Sequence, residues 1–345
     1  MMTSMQRVLT TMAGKEPDRV PLFLLTSMHG AKELGLSIRD YFSRAEHVVE
    51  GQMRLWHKYR SDCLNPFHYA AIELEAFGGG TIFIEDGPPN AAAPIICCSE
   101  DIDRLEPPRI SQAAGLNRVL EVIRKLKAHV GDTVPIMGSV ISPFSLPVMQ
   151  MGFGPYLELI HEQPQRWSRL MAVNQAFCVE WANAQLAAGA TAIGYADPVS
   201  STTILPRQLY LQTGHRVAVE TLRQIHGSVA IHLASGRGLG IADELVATGA
   251  VAVGISALED LAAWRTALHG RVTVLGNLNG VEMRRWTPEQ AHCEVKQAIA
   301  KVGRGGGFIL ADNHGEIPWQ VPDEVLLAIR DAVDCWGNYP LDWLE

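Results

Sequence analysis

Two histidines and a few carboxylates stand where apolar runs end, the positions at which a side chain can meet a substrate. His232 sits near the end of VAIHL. His314 lies in Asp312-Asn313-His314-Gly315-Glu316, directly after the run GFILA. Imidazoles from separate strands, joined by a carboxylate, form a ligand set for Zn²⁺ or Fe²⁺. The third ligand would be Glu73, Glu75, Asp197 or Asp312. Each histidine also has a plain reading, as a core ring bonded to a carbonyl or as a turn residue. Glu73 and Glu75 are two apart, so on a helix only one of them faces a site. Tyr195-Ala196-Asp197 ends the run TAIGY, and Asn277 and Asn279 follow VTVLG. Ser61-Asp62 and Asn65 flank an early strand. A buried Asp197 carboxylate is costly unless it is paired. It would serve as a general acid or base, or as a helix cap or ion-pair partner.

Other chemistries lack their residues. GxSxG, HExxH and the P-loop pattern are missing. Gly236-Arg237-Gly238-Leu239-Gly240 follows a strand and precedes a helix, so its N–H groups could surround a phosphate or carboxylate. It is not a dinucleotide fingerprint, because Ile241 occupies the place of the third glycine. Gly303 to Gly307 precedes a strand, the wrong side for that motif. Trp319, beside the proposed site loop, is a candidate pocket wall.

These residues need strands to carry them. Nearly continuous apolar runs occur at 20–25, 136–140, 191–195, 229–233, 251–255, 272–275 and 307–311. Such runs suit parallel strands covered on both faces. Amphipathic segments separate them. The stretch 164–188 is one, with Asn174 interrupting its apolar face. Another is 288–302, opened by the capping pattern Thr287-Pro288-Glu289-Gln290. The βα alternation predicts a (β/α)8 TIM barrel, with N-terminal helices and a hairpin-like insertion at 78–99 near its mouth. The whole chain, 1–345, reads as one domain. Its length allows a large core.

Composition excludes several classes. The chain has 29 Lys and Arg against 37 Asp and Glu, a net charge of −8, and no dense basic stripe. That argues against nucleic acid as partner. No apolar run reaches the roughly 20 residues of a membrane span, and the first residues lack a signal peptide's apolar stretch. Six cysteines without a CxxC suit a reduced, cytoplasmic protein. A homodimer remains open.

Longer stretches resemble the uroporphyrinogen decarboxylase superfamily. They are RVLTTMAGKEPDRVPLF (7–23), GSVISPFSLPVMQMG (138–152), LIHEQPQRWSRLM (159–171), ADPVSSTTILPRQL (196–209), GNLNG (276–280) and ADNHGEIPWQVPDEVL (311–326). The resemblance implies a barrel with its site at the C-terminal strand ends. It implies one of two activities: cofactor-free decarboxylation of porphyrinogens, or zinc-dependent methyl transfer with a corrinoid carried by a partner protein. The decarboxylases hold substrate carboxylates with an arginine-rich segment after the first strand. Here that segment is LLTSMHGAKELG (24–35), without arginine. The methyltransferases use His-x-Cys and a later Cys as metal ligands. Here those positions read His232-Leu233-Ala234 and His314. The resemblance therefore implies His232, His314 and Glu73 as zinc ligands, with Asp197, Tyr195 and Asn279 as catalytic residues. The expected partners are a corrinoid protein and a small methylated substrate. The alternatives are a decarboxylase-like lyase and a non-catalytic barrel subunit.

Overall fold

All seven apolar runs become parallel strands of one sheet. The computed structural model describes residues 2–313 and 315–344. The strands are β1 (Leu22–Phe23), then β2 (Thr81–Ile82) and β3 (Asn90–Ala91), which pair only with each other as an antiparallel hairpin. The series continues with β4 (Met137–Ile141), β5 (Ala192–Ala196), β6 (Ser228–His232), β7 (Ala252–Gly254), β8 (Thr273–Leu278) and β9 (Phe308–Asp312). In the large sheet the order is β1-β9-β8-β7-β6-β5-β4. Helices between successive strands cover its outer side.

The sheet is curled but open, which corrects the expectation of a closed (β/α)8 TIM barrel. It has seven strands, and its edges β1 and β4 are not paired with each other. The chain at 61–65 laces the gap with single bonds. Asp62 N–H donates to Leu22 O (2.6 Å), Leu64 N–H to Pro135 O (2.8 Å), and Met137 N–H to Leu64 O (2.9 Å). Across this gap, among the described residues, Leu64 and Ile136 form the one bridge. The reason lies in the residues. The Asp62 carboxylate takes the Leu22 N–H that a ladder would use, Asn65 Oδ1 accepts from Phe67 N–H, and Pro66 has no N–H with which to extend a ladder.

Residue parity divides each strand between two faces. On β4, Met137, Ser139 and Ile141 are half-exposed, while Gly138 and Val140 are buried. On β5, Ala192, Gly194 and Ala196 are half-exposed, while Ile193 and Tyr195 are buried. The buried set faces the helix Pro164–Ala188: a Cβ on Gly138 would lie 2.9 Å from Gln185 Oε1. The half-exposed set faces the concave inner side. The helix Ser4–Met12, capped by Thr3 and Gln6, helps fill that side's floor. Its Val8 and Met12 pack there with Cys63, Ile309, Phe23, Met137 and Leu275. The inner face is thus a cup, plugged below and accessible along β4, β5 and β6.

Two buried polar groups explain breaks in the apolar patterns. Asn174, fully buried, exchanges two hydrogen bonds with the Gln150 side chain (2.8 and 3.0 Å). His68 stacks on Phe42 with ring centroids 5.2 Å apart, and its Nδ1 lies 2.9 Å from Pro66 O. Burial, aided by the Arg118 charge, pushes His68 down to about 4. The unfolded ring titrates near 6.5. The unfolded chain therefore binds the extra proton between these values, and acid erodes the folded state. His68→Phe should remove this sensitivity. Between pH 7 and pH 5 the stability of wild type relative to the variant should fall by about 2 kcal/mol. Urea denaturation at the two pH values measures the shift.

Candidate functional site

The inner face presents its polar groups at the C-terminal strand ends. In register, Ala196 pairs with His232 and His232 with Gly254, so His232 shares the accessible face with two small residues. A Cβ on Gly254 would meet His232 Cδ2 at 2.9 Å, so glycine there makes room for the ring. Ala234 N–H donates to His232 Nδ1 (3.1 Å). Nδ1 is therefore the acceptor, and the neutral ring carries its proton on Nε2. Asn277 is half-buried on the same face. Its Nδ2 donates to Ser256 O and Glu259 O (both 2.9 Å). Asn313 continues the parity of Ile309 and Ala311.

The carboxylates proposed from sequence lie elsewhere. Asp197 is one residue past Ala196, so it turns to the outer layer. Its Oδ1 accepts from the hydroxyls of Ser142 (2.6 Å) and Ser145 (2.7 Å), which ties the ends of β4 and β5 together. Burial raises its pKa, while these hydroxyls pull it back. Tyr195 is fully buried on that outer side. Glu73 Oε1 accepts from Ile141 N–H (2.9 Å), and burial pushes the carboxyl up to about 8. Glu75 is engaged by the Tyr69 hydroxyl (3.1 Å). Asn279 Oδ1 accepts from the N–H groups of Val281 (3.1 Å) and Glu282 (3.2 Å), a turn cap. Asp62 belongs to the opposite end of the sheet, where Leu22 N–H, Arg7 and Arg19 surround it. His314 lies outside the described residues.

This arrangement corrects the zinc assignment. Among the described residues, no three His, Cys, Asp or Glu side chains converge to hold a metal ion. His232 faces the cup, whereas Glu73 is bonded to the Ile141 N–H at the β4 end. The described residues do not fit Zn²⁺, and the corrinoid-linked methyltransferase reading built on a zinc centre falls with it.

The glycine loop holds an anion of its own. Glu259 accepts from the N–H groups of Gly238 and Leu239 (both 3.0 Å) and from Trp264 Nε1 (3.1 Å). The loop thus forms a backbone cradle for a carboxylate, filled by this chain rather than by a phosphate. Glu259→Ala should destabilise the fold by about 2–3 kcal/mol, since bonds to a charged acceptor are the stronger kind. A chemical denaturation midpoint within error of wild type would contradict that role.

Sequence reasoning named Glu316 only within the strand-end run 312–316 and gave it no role of its own. It is half-buried in the loop after β9 and receives the Ser27 hydroxyl. Burial, helped by nearby Asp312, pushes it up to about 7. Asp312 itself accepts from Leu25 N–H (2.8 Å) and is also raised to about 7 by burial. The signal available was the run of two carboxylates around a strand end. Trp319 lies under the Lys32 ammonium, 4.7 Å from its ring centroid.

The family model for uroporphyrinogen decarboxylase matches residues 3–336. The chain belongs to that family. The uroporphyrinogen decarboxylase of Methylococcus capsulatus is 27% identical over 89% of this chain and 91% of its own. That of Psychromonas ingrahamii is 24% identical over 95% and 96%. A methyltransferase from Methanosarcina mazei shares the fold, with a TM-score of 0.87 and 18% identity over 97% of this chain and 99% of its own. No helix among the described residues is long and apolar enough to cross a membrane. Within the family fold, the segment 24–35 offers Lys32 as its one cation, and Lys32 is occupied by the Trp319 carbonyl and ring.

Proposed function

We propose that this chain is a lyase that removes CO₂ from a substrate with few carboxylates, bound in the inner cup. The observation that carries the reading is His232 on the accessible face, its Nδ1 accepting from Ala234 N–H so that the ring's N–H sits on Nε2. Family membership supports the reaction class. The missing arginines at 24–35 support a substrate less anionic than a porphyrinogen.

In the reaction the bond from the substrate carbon to its carboxylate breaks. The electron pair stays on the substrate, CO₂ leaves, and the carbon then takes a proton. The departing pair must spread onto a conjugated oxygen or heterocycle. His232, neutral and fixed, donates from Nε2 to the atom where that charge develops. Glu316, held near 7 at the rim, is the acid assigned to return the proton. Asp197 is a positioning residue that ties the ends of β4 and β5 together from the outer layer.

The test is CO₂ release from a panel of carboxylic acids, before and after dialysis against a strong chelator. Release from acids with one or two carboxylates, unchanged by the chelator, is the expected result. Activity that disappears on chelation and returns with zinc would overturn the reading, and so would activity confined to octacarboxylate porphyrinogens.

A further inference from the structure

Asn313 is 1% exposed, yet neither its Oδ1 nor its Nδ2 has a hydrogen-bond partner. Folded chains leave few buried amides unmet, and each such group calls for an explanation. Its backbone is fixed, because Asn313 N–H donates to Leu278 O (3.1 Å) and continues the ladder. Parity then turns the side chain to the face of Ile309 and Ala311, the inner face. A second observation is independent of the first. Among the described residues, no inward-facing position of the seven strands is Asp, Glu, Lys or Arg. These strand positions offer no ion pair to the substrate's carboxylate, so what they can recognise is the uncharged remainder of the molecule, through fixed dipoles.

We propose that Asn313 reads an uncharged acceptor–donor edge, a lactam, imide or primary amide, on the molecule bound in the cup. Nδ2 donates to the carbonyl oxygen, and Oδ1 accepts the adjacent N–H. The pairing meets both polar atoms at once, and their desolvation has already occurred on folding. The inference rests on the lyase reading only for the statement that the cup is the substrate site.

The probes are 2-quinolinone, a neutral lactam, and 1-methyl-2-quinolinone, which lacks the N–H. Binding to the full chain is followed by calorimetry or by ligand-observed NMR. Wild type should prefer the lactam by about tenfold or more. Asn313→Ala and Asn313→Leu should each erase the preference. In the absence of any probe, the melting temperature of Asn313→Leu should equal or exceed that of wild type, because two unmet polar atoms are removed. Equal binding of the two probes to wild type, including failure of both to bind, would overturn the proposal. So would a preference that survives both substitutions. A marked fall in melting temperature for both variants would do the same, since it would show Asn313 held by structural bonds through water. CO₂ release without lactam preference sinks this inference alone. Lactam preference without CO₂ release sinks the lyase reading alone.

Discussion

His232→Ala should lower kcat/KM for CO₂ release by about 10²–10³, the usual loss when one preorganised donor to developing charge is removed. The argument begins in the register. His232 pairs with Ala196 on one side and Gly254 on the other, so its ring is flanked by the smallest side chains. Ala234 N–H holds Nδ1 and so selects the Nε2–H tautomer. The ring is half-buried, so its loss should leave the fold intact. Because the donor acts on charge that appears in the transition state, kcat should fall more than KM rises. His232→Gln keeps an N–H and should recover part of the rate. A kcat/KM within threefold of wild type for the alanine variant would remove His232 from the reaction.

Asp62→Ala should destabilise the protein by about 3–5 kcal/mol, the cost of leaving buried charges without their partner. Asp62 is 1% exposed. Its Oδ1 lies 2.6 Å from Arg7 Nη1, and its Oδ2 lies 2.9 Å from Arg19 Nη1. It also accepts from Leu22 N–H (2.9 Å) and the Ser4 hydroxyl (3.0 Å). These contacts join the first helix, β1 and the 61–65 segment at the floor of the cup. Asp18 retains Arg7 (2.7 Å), which limits the damage on that side. Asp62→Asn keeps one accepting oxygen, although its Nδ2 then faces donors and the charge is lost, and should cost less than alanine. Urea denaturation of the three proteins gives the ordering, and a loss below 1 kcal/mol for the alanine variant would contradict it.

The strands were legible because parallel strands covered by helices consist of apolar residues, and seven such runs stand in the sequence. The open edge was not. Whether Ser61–Asn65 forms a ladder depends on how Asp62 and Asn65 spend their side chains, and periodicity does not report that. The strand ends that carry polar groups were legible for the same reason as the strands. Their direction was not, because one residue of offset reverses the face. Asp197 follows Ala196, the register partner of His232, so these two candidates stand on opposite sides of the sheet. Glu73 stands apart from His232 for a related reason: its helix delivers it to the Ile141 N–H and to Trp181 of the outer helix Pro164–Ala188. The resemblance supplied the family. It also suggested a zinc site that the described donors do not form.

The central claim is that the chemistry belongs to the inner face of the sheet. The most direct test compares CO₂ release by wild type, His232→Ala and Asp197→Asn on one carboxylic acid substrate, with all three shown to be folded. The account predicts a loss of about 10² or more for the first variant and less than about tenfold for the second. The reverse pattern, with Asp197→Asn inactive and His232→Ala unimpaired, would place the reaction in the outer layer and contradict it.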